Sequence, residues 1–370
     1  MDSASTNHIF DSFTPATKDD WQKAAKLELN GADPFEKLAL EKGKIKILPF
    51  YDQYDVIAHE NFPLKASTHE FLGPRAWHNM PATDVKNESD SNQRALSDLN
   101  LGADGIFFNI KIATPDVRAL LKTIEWPHCA ISFTGDISKP LFSGIHAHAL
   151  EKKYNVGTLT GCVFRKKPFE NEVESISLFE NWHYFHPLGI EVEPNEVAAE
   201  EIATALVQVV RQIDFLTDRG VPLRLALQVP AFQVNVDIDF FLNIAKLKVI
   251  RILWHNVVKS FDAHADVPIY IHACSPVWSK NEYQPNGNML KGATAALSAI
   301  LGGCDALTIL PEDSNNSTMS RVARNVSSII REESQLSKVS DPTAGSYYLE
   351  SLINQLSIES WQLFQKKVNT

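Results

Sequence analysis

The chain has 370 residues, 44% of them hydrophobic, and a net charge of −10 at neutral pH. That length and apolar content allow one large domain with an extension or two ordinary domains. The acidic balance argues against a nucleic-acid or anionic-membrane partner, and no apolar run approaches bilayer-spanning length. Met1 to Thr6 carry no basic region before an apolar run, so no secretory signal is expected. Cys129, Cys162, Cys274 and Cys304 are far apart in sequence and form no metal-type pair. They read as reduced thiols of a cytoplasmic protein.

In chain order, residues 1–13 are polar. Thr17 and Asp20 form a capping pair before Trp21, Ala24, Ala25 and Leu29, and Asn30-Gly31 ends that helix. Asp33-Pro34-Phe35-Glu36 starts a second helix, which Gly43 stops. Residues 44–51 read as extended, and 52–87 show little periodicity. Residues 1–87 are therefore expected to be an N-terminal helical arm and linker, packed on its own domain or on a partner subunit.

Regular alternation begins at Glu88. Strand-like runs at 105–109, 130–134, 157–162, 188–192 and 223–228 alternate with helical or connecting stretches. Asn195 caps a long helix with Ile202, Leu206, Val209, Ile213 and Leu216 on one stripe. No Gly or Pro lies between Pro230 and Pro268, so 240–260 reads as one helix. Further strands are expected at 269–274, 306–310 and 338–340. Eight strands with covering helices predict a (β/α)8 TIM barrel over 88–370. No Gly-x-Gly-x-x-Gly follows any strand to support an open dinucleotide-binding sheet.

Alternation within the strands predicts which side chains face the axis. Ile131, Phe133, Leu159, Leu225, Leu227, Ile271, Leu307 and Ile309 suit the helix layer. Ser132, Thr134, Thr158, Thr160, Gly189, Glu191, Ala226, Gln228, Tyr270, His272, Cys274, Ala306 and Thr308 fall on the other face. An ordinary barrel fills its interior with Val, Ile and Leu, so this face predicts room and polar groups along the axis. Glu191, Gln228, Tyr270 and His272 are the candidate residual site, with Glu191 and His272 able to face one another. The pairs His146/His148 and His183/His186 read as packing, and Arg321 and Arg324 as partners of carboxylates. No metal site is expected.

His272 stands six residues before Trp278. Ser320-Arg321-Val322-Ala323-Arg324-Asn325, Glu332-Glu333-Ser334, and Asp341-Pro342 before Gly345-Ser346-Tyr347-Tyr348 follow in order. This series resembles the barrel domain of methylmalonyl-CoA mutases. The resemblance implies a TIM barrel whose axis takes the pantetheine arm of an acyl-CoA, adenosylcobalamin as radical source, and an arm that wraps the partner chain. The arm's Trp and Leu-x-Gly positions read Trp21 and Leu29-Asn30-Gly31 here.

Four departures separate the chain from the catalytic pattern. It ends at Thr370 after the last expected helix, so no cobalamin-binding domain is expected. Asp262-Ala263-His264 lacks the Gly of the cobalt-ligating motif. The Arg before the strand His is Tyr270, and no His accompanies Leu188-Gly189-Ile190-Glu191-Val192. The Tyr expected after Arg75-Ala76-Trp77 is absent from His78-Asn79-Met80-Pro81-Ala82. A neutral phenol cannot replace a cation that binds a carboxylate. The resemblance thus implies a non-catalytic small subunit, with neither catalytic nor cofactor-binding residues of its own. Its partner would be a catalytic large mutase subunit holding adenosylcobalamin and acting on an acyl-CoA. The alternatives are a barrel-only acyl-CoA mutase served by a separate cobalamin protein, and a non-enzymatic acyl-CoA-binding barrel.

Overall fold

The structure, a computed structural model, describes residues 16–55, 72, 73, 75–166, 172–279 and 287–369. The polar stretch 1–13 and the loop residues Pro285 and Asn286 lie outside the described residues. Helix α1 (Lys18–Glu28) opens with the expected reciprocal cap: Asp20 N donates to Thr17 Oγ1 and Thr17 N to the Asp20 carboxylate. It closes where Asn30 and Gly31 turn to positive φ.

Helix α2 (Pro34–Lys37) is capped by Asp33 as expected but stops well before Gly43. Leu40–Lys42 (β1) and Ile45–Ile47 (β2) instead form an antiparallel hairpin about Gly43-Lys44. Gly43 has φ +62°, which a two-residue hairpin turn requires. The hairpin rests on the main domain through buried Ile45 and a bond from Lys46 N to Gln355 Oε1.

The remaining elements alternate. They are β3 (His78–Asn79), β4 (Ala82–Val85), α3 (Glu88–Asn100), β5 (Gly105–Ile110), α4 (Val117–Leu120), β6 (Ala130–Gly135), α5 (Lys139–Glu151) and β7 (Gly161–Arg165). Then come α6 (Glu172–Ser177), β8 (Phe185–Glu191), α7 (Ala198–Thr217), α8 (Leu223–Gln228), β9 (Pro230–Asn235) and α9 (Phe240–Phe261). The last are β10 (Tyr270–Cys274), α10 (Gly287–Gly302), β11 (Ala306–Thr308), α11 (Ser317–Glu332) and α12 (Tyr347–Val368). The strands pair in parallel in the order β3-β11-β10-β9-β8-β7-β6-β5-β4.

The two ends of that order are consecutive pieces of one extended stretch, separated by Met80-Pro81. On one side Met80 N donates to Leu307 O; on the other Phe107 N donates to Pro81 O. The sheet therefore closes on itself as an eight-stranded (β/α)8 TIM-type barrel. Its count of eight matches the expectation through two compensating differences. The expected strand at 338–340 is the end of a 3-10 turn, Leu336–Lys338, followed by a loop. The closing stretch 78–85 supplies the missing strand from within the region read as linker.

Two further strands are displaced. Leu223 to Gln228 form α8, capped at Pro222, and the strand follows at Pro230. Proline opens a strand without loss because its missing N–H precedes the ladder. The strand expected at 157–162 runs instead over 161–165, after a 3-10 turn at Val156–Thr158. The expected long helix at 240–260 is α9. Its middle, residues 243–251, is buried on all sides, which explains the lack of an apolar stripe there. Its buried cations are each paired: Lys246 with Glu201, Lys248 with Asp341 and Arg251 with Asp305. Helix α7 buries Ile202, Leu206, Val209, Ile213 and Leu216, each worth about 2 kcal/mol of apolar burial.

Candidate functional site

Register fixes which side chains meet on the axis. Gly189 and Glu191 of β8 stand beside Ala231 and Gln233 of β9, which stand beside Tyr270 and His272 of β10. On the other side of β10, His272 and Cys274 align with Ala306 and Thr308 of β11. Met80, Phe107, Ala130, Cys162, Phe164, Ala231, Cys274 and Ala306 form one buried cluster inside the barrel.

The axis is occupied by rings. Phe107 lies 4.5 Å from the His272 ring centre, Phe164 lies 5.6 Å from it, and the two phenyl rings are 6.0 Å apart. Gly189 makes this possible: a Cβ there would sit 2.5 Å from the Phe164 ring. The small inward residues therefore do not leave a channel; they receive side chains from the facing strands. This corrects the expectation of a roomy polar axis. Thr158 and Thr160 lie before β7, and Ala226 and Gln228 lie on α8, so none of the four is a strand position.

His272 is wholly buried. Its Nε2 is 2.8 Å from Thr308 Oγ1, whose own proton goes to Met80 O at 2.5 Å. Thr308 must therefore accept, so Nε2 carries the imidazole proton. Burial, with His78 nearby, pushes the imidazole down to about 3, so the ring is neutral. Nδ1 is then an acceptor with no partner, and Gln233 Oε1 on the neighbouring strand is a second one.

The four candidate residues do not converge. Glu191 lies at the C-terminal mouth, 3.5 Å from Lys166 Nζ and accepting from Thr134 Oγ1 at 3.5 Å. No hydrogen bond joins it to His272, which bonds Thr308 instead. Tyr270 lies at the opposite, N-terminal mouth, its ring 5.3 Å from that of His186. Its hydroxyl is buried without a partner, and burial raises the phenol well above its ordinary range. Gln228 contributes only its backbone oxygen, which accepts from His186 Nδ1 at 2.9 Å. The Lys166 ammonium answers the charge of Glu191.

The residues that sequence reasoning missed are Phe107, Phe164 and Gln233. Phe164 was legible in the alternation Cys162-Val163-Phe164, had the strand been carried past Cys162. Gln233 lies on β9, beyond the strand expected at 223–228. Among the described residues, no group of three or more His, Cys, Asp or Glu is placed to hold a metal. No described helix is long and apolar enough to cross a membrane.

The methylmalonyl-CoA mutase family profile matches residues 195–369. A methylmalonyl-CoA mutase small subunit of Porphyromonas gingivalis is 26% identical over 96% of this chain and 63% of its own length. A small subunit from Streptomyces virginiae is 34% identical over 47% of this chain and 29% of its own length. Over residues 195–369 the chain is therefore similar to the methylmalonyl-CoA mutase family. A methylmalonyl-CoA mutase of Escherichia coli is 34% identical over 37% of this chain and 20% of its own length. The chain thus spans less than two thirds of the length of each of these relatives.

The Asp262-Ala263-His264 stretch follows α9 and precedes β10, so it lies at the N-terminal end of the barrel, opposite the C-terminal face where barrel enzymes place their chemistry. There Asp262 Oδ1 accepts from His264 N in a local turn. Of the mutase-like stretches, Arg324 is paired with Asp98 at 2.6 Å and Asp341 with Lys248 at 2.9 Å. Both are structural ties of the helix layer, as expected for Arg324.

Proposed function

We propose that this chain is the small, non-catalytic subunit of a heterodimeric adenosylcobalamin-dependent methylmalonyl-CoA mutase, a cytoplasmic isomerase. The observation that carries the reading is the stack of Phe107, His272 and Phe164 across the barrel axis. An acyl-CoA arm threading the barrel would have to displace these rings. Emptying even one such aromatic site costs about 3–5 kcal/mol. The inward strand positions also offer no Lys or Arg to a substrate carboxylate, whose desolvation would then go uncompensated. Tyr270, at the position of the family's Arg, lies at the N-terminal mouth with a neutral hydroxyl.

On this reading the catalytic large subunit holds adenosylcobalamin and the acyl-CoA. This chain supplies a matching barrel and part of the intersubunit surface. The free cysteines Cys129, Cys162, Cys274 and Cys304 suit a reducing compartment. The names of the small-subunit relatives support the assignment. Co-expression with a longer mutase chain tests it. The two should co-purify, and mutase activity should require the longer chain. Mutase turnover by this chain with cobalamin and no partner would overturn the reading.

A further inference from the structure

A second site lies outside the barrel axis, in a cleft between α10 and α11 at the C-terminal end of β11. The cleft holds about 460 Å3 of unfilled space, part of it open to solvent. Its apolar lining includes Ile309, Gly292 and Ala323. Gly292 keeps it open: a Cβ there would lie 3.3 Å from Ile309 Cγ2.

The polar end is unusual in what it leaves unmet. Asn288, only 9% exposed, donates its amide to Ser279 O at 3.0 Å and to the Glu312 carboxylate. Two acceptors fix the amide orientation, so Oδ1 is correctly placed, buried and without a donor. Trp278 lines the same cleft, and its Nε1 is a buried donor without an acceptor. Leaving such groups unpaired is costly, so the site is built for a ligand that supplies one donor and one acceptor.

Charge narrows the choice. Glu312 already receives the Asn288 amide at the first turn of α10, where the helix terminus favours negative charge. Lys291 Nζ lies 5.5 Å from the Trp278 ring centre, so Glu312 and Lys291 offset one another and the cleft has no net charge with which to select an ion. We propose that this cleft binds a small neutral carboxamide on an apolar body, its N–H to Asn288 Oδ1 and its carbonyl oxygen to Trp278 Nε1–H. The proposal is independent of the mutase reading.

Benzamide, acetophenone and benzoate are near-isosteric probes. They offer donor and acceptor, acceptor only, and acceptors with charge. Titration of the full chain, followed by NMR of the indole N–H signals, tests the site, with Trp278→Phe assigning the Trp278 signal. Benzamide should saturate and move that signal; the other two should bind at least about tenfold weaker, the worth of one buried hydrogen bond. Ala323→Leu should abolish the response by filling the cleft. Equal binding of all three probes, no saturable shift, or a response indifferent to Ala323→Leu would overturn the proposal. Should Ala323→Leu fail to fold, probe discrimination at the wild-type Trp278 signal decides alone.

Discussion

The two halves of the barrel wall are held by different physics. From β3 to β8 the covering helices α4 and α6 are short, and the layer is filled by stacked aromatics. Trp126, Phe179, Trp182 and Phe185 lie with ring centres 5.0–5.8 Å apart. From α7 onward the helices other than α8 are long and the layer is aliphatic, tied by buried ion pairs. Three pairs lie within that half. Two more reach back to the first half, Arg324 to Asp98 and Arg331 to Asp104. The family profile begins at residue 195, where the second kind of packing begins. An aromatic cluster can be rebuilt from other large apolar side chains. A buried pair cannot lose one member without stranding the other's charge.

The largest test of this contrast is Arg331→Ala. Arg331 bonds both oxygens of Asp104 and the Trp77 carbonyl, clamping the closing strand to α11. Chemical denaturation should show a loss of about 3–5 kcal/mol. Phe179→Leu in the aromatic half should cost only about 1–2 kcal/mol. Equal losses would erase the distinction.

Phe164→Ala comes next, because it empties the axis that both halves share. A loss of about 3 kcal/mol is expected from the same measurement. A change under about 1 kcal/mol would mean the ring is not packed as described.

His272 should make stability pH-dependent. Its folded pKa of about 3 lies below the unfolded value of 6.5. Between those values the unfolded chain binds a proton that the folded chain refuses. Stability therefore falls as the pH drops from 6.5 toward 3, by up to about 1.4 kcal/mol per unit from this group. Above 6.5 the group contributes nothing. His272→Gln should flatten the profile by that slope, and an unchanged profile would remove His272 as its source.

The smallest effect belongs to the arm. Lys42 pairs with Asp239 on the half-exposed surface, so Lys42→Ala should cost no more than about 0.5 kcal/mol. A larger loss would make the hairpin part of the core rather than an appendage.

Much of this was legible beforehand. Helix α1 declared itself through Thr17 and Asp20, and α9 through its unbroken run, because local signals settled both. The closing strand was not legible, since Pro81 interrupts it and only the ring of neighbours makes it a strand. The site was less legible than the fold. His272 and Thr308 were correctly placed on the axis by alternation. That small residues such as Gly189 admit Phe164 rather than a ligand depends on the facing strand, which one-dimensional patterning does not contain.

Calorimetric titration of methylmalonyl-CoA into the isolated chain tests the central claim, a barrel closed to substrate by its own rings. The account predicts no saturable heat from the wild-type chain. Tight binding that His272→Gln or Phe164→Ala altered would place the ligand on the axis and contradict it.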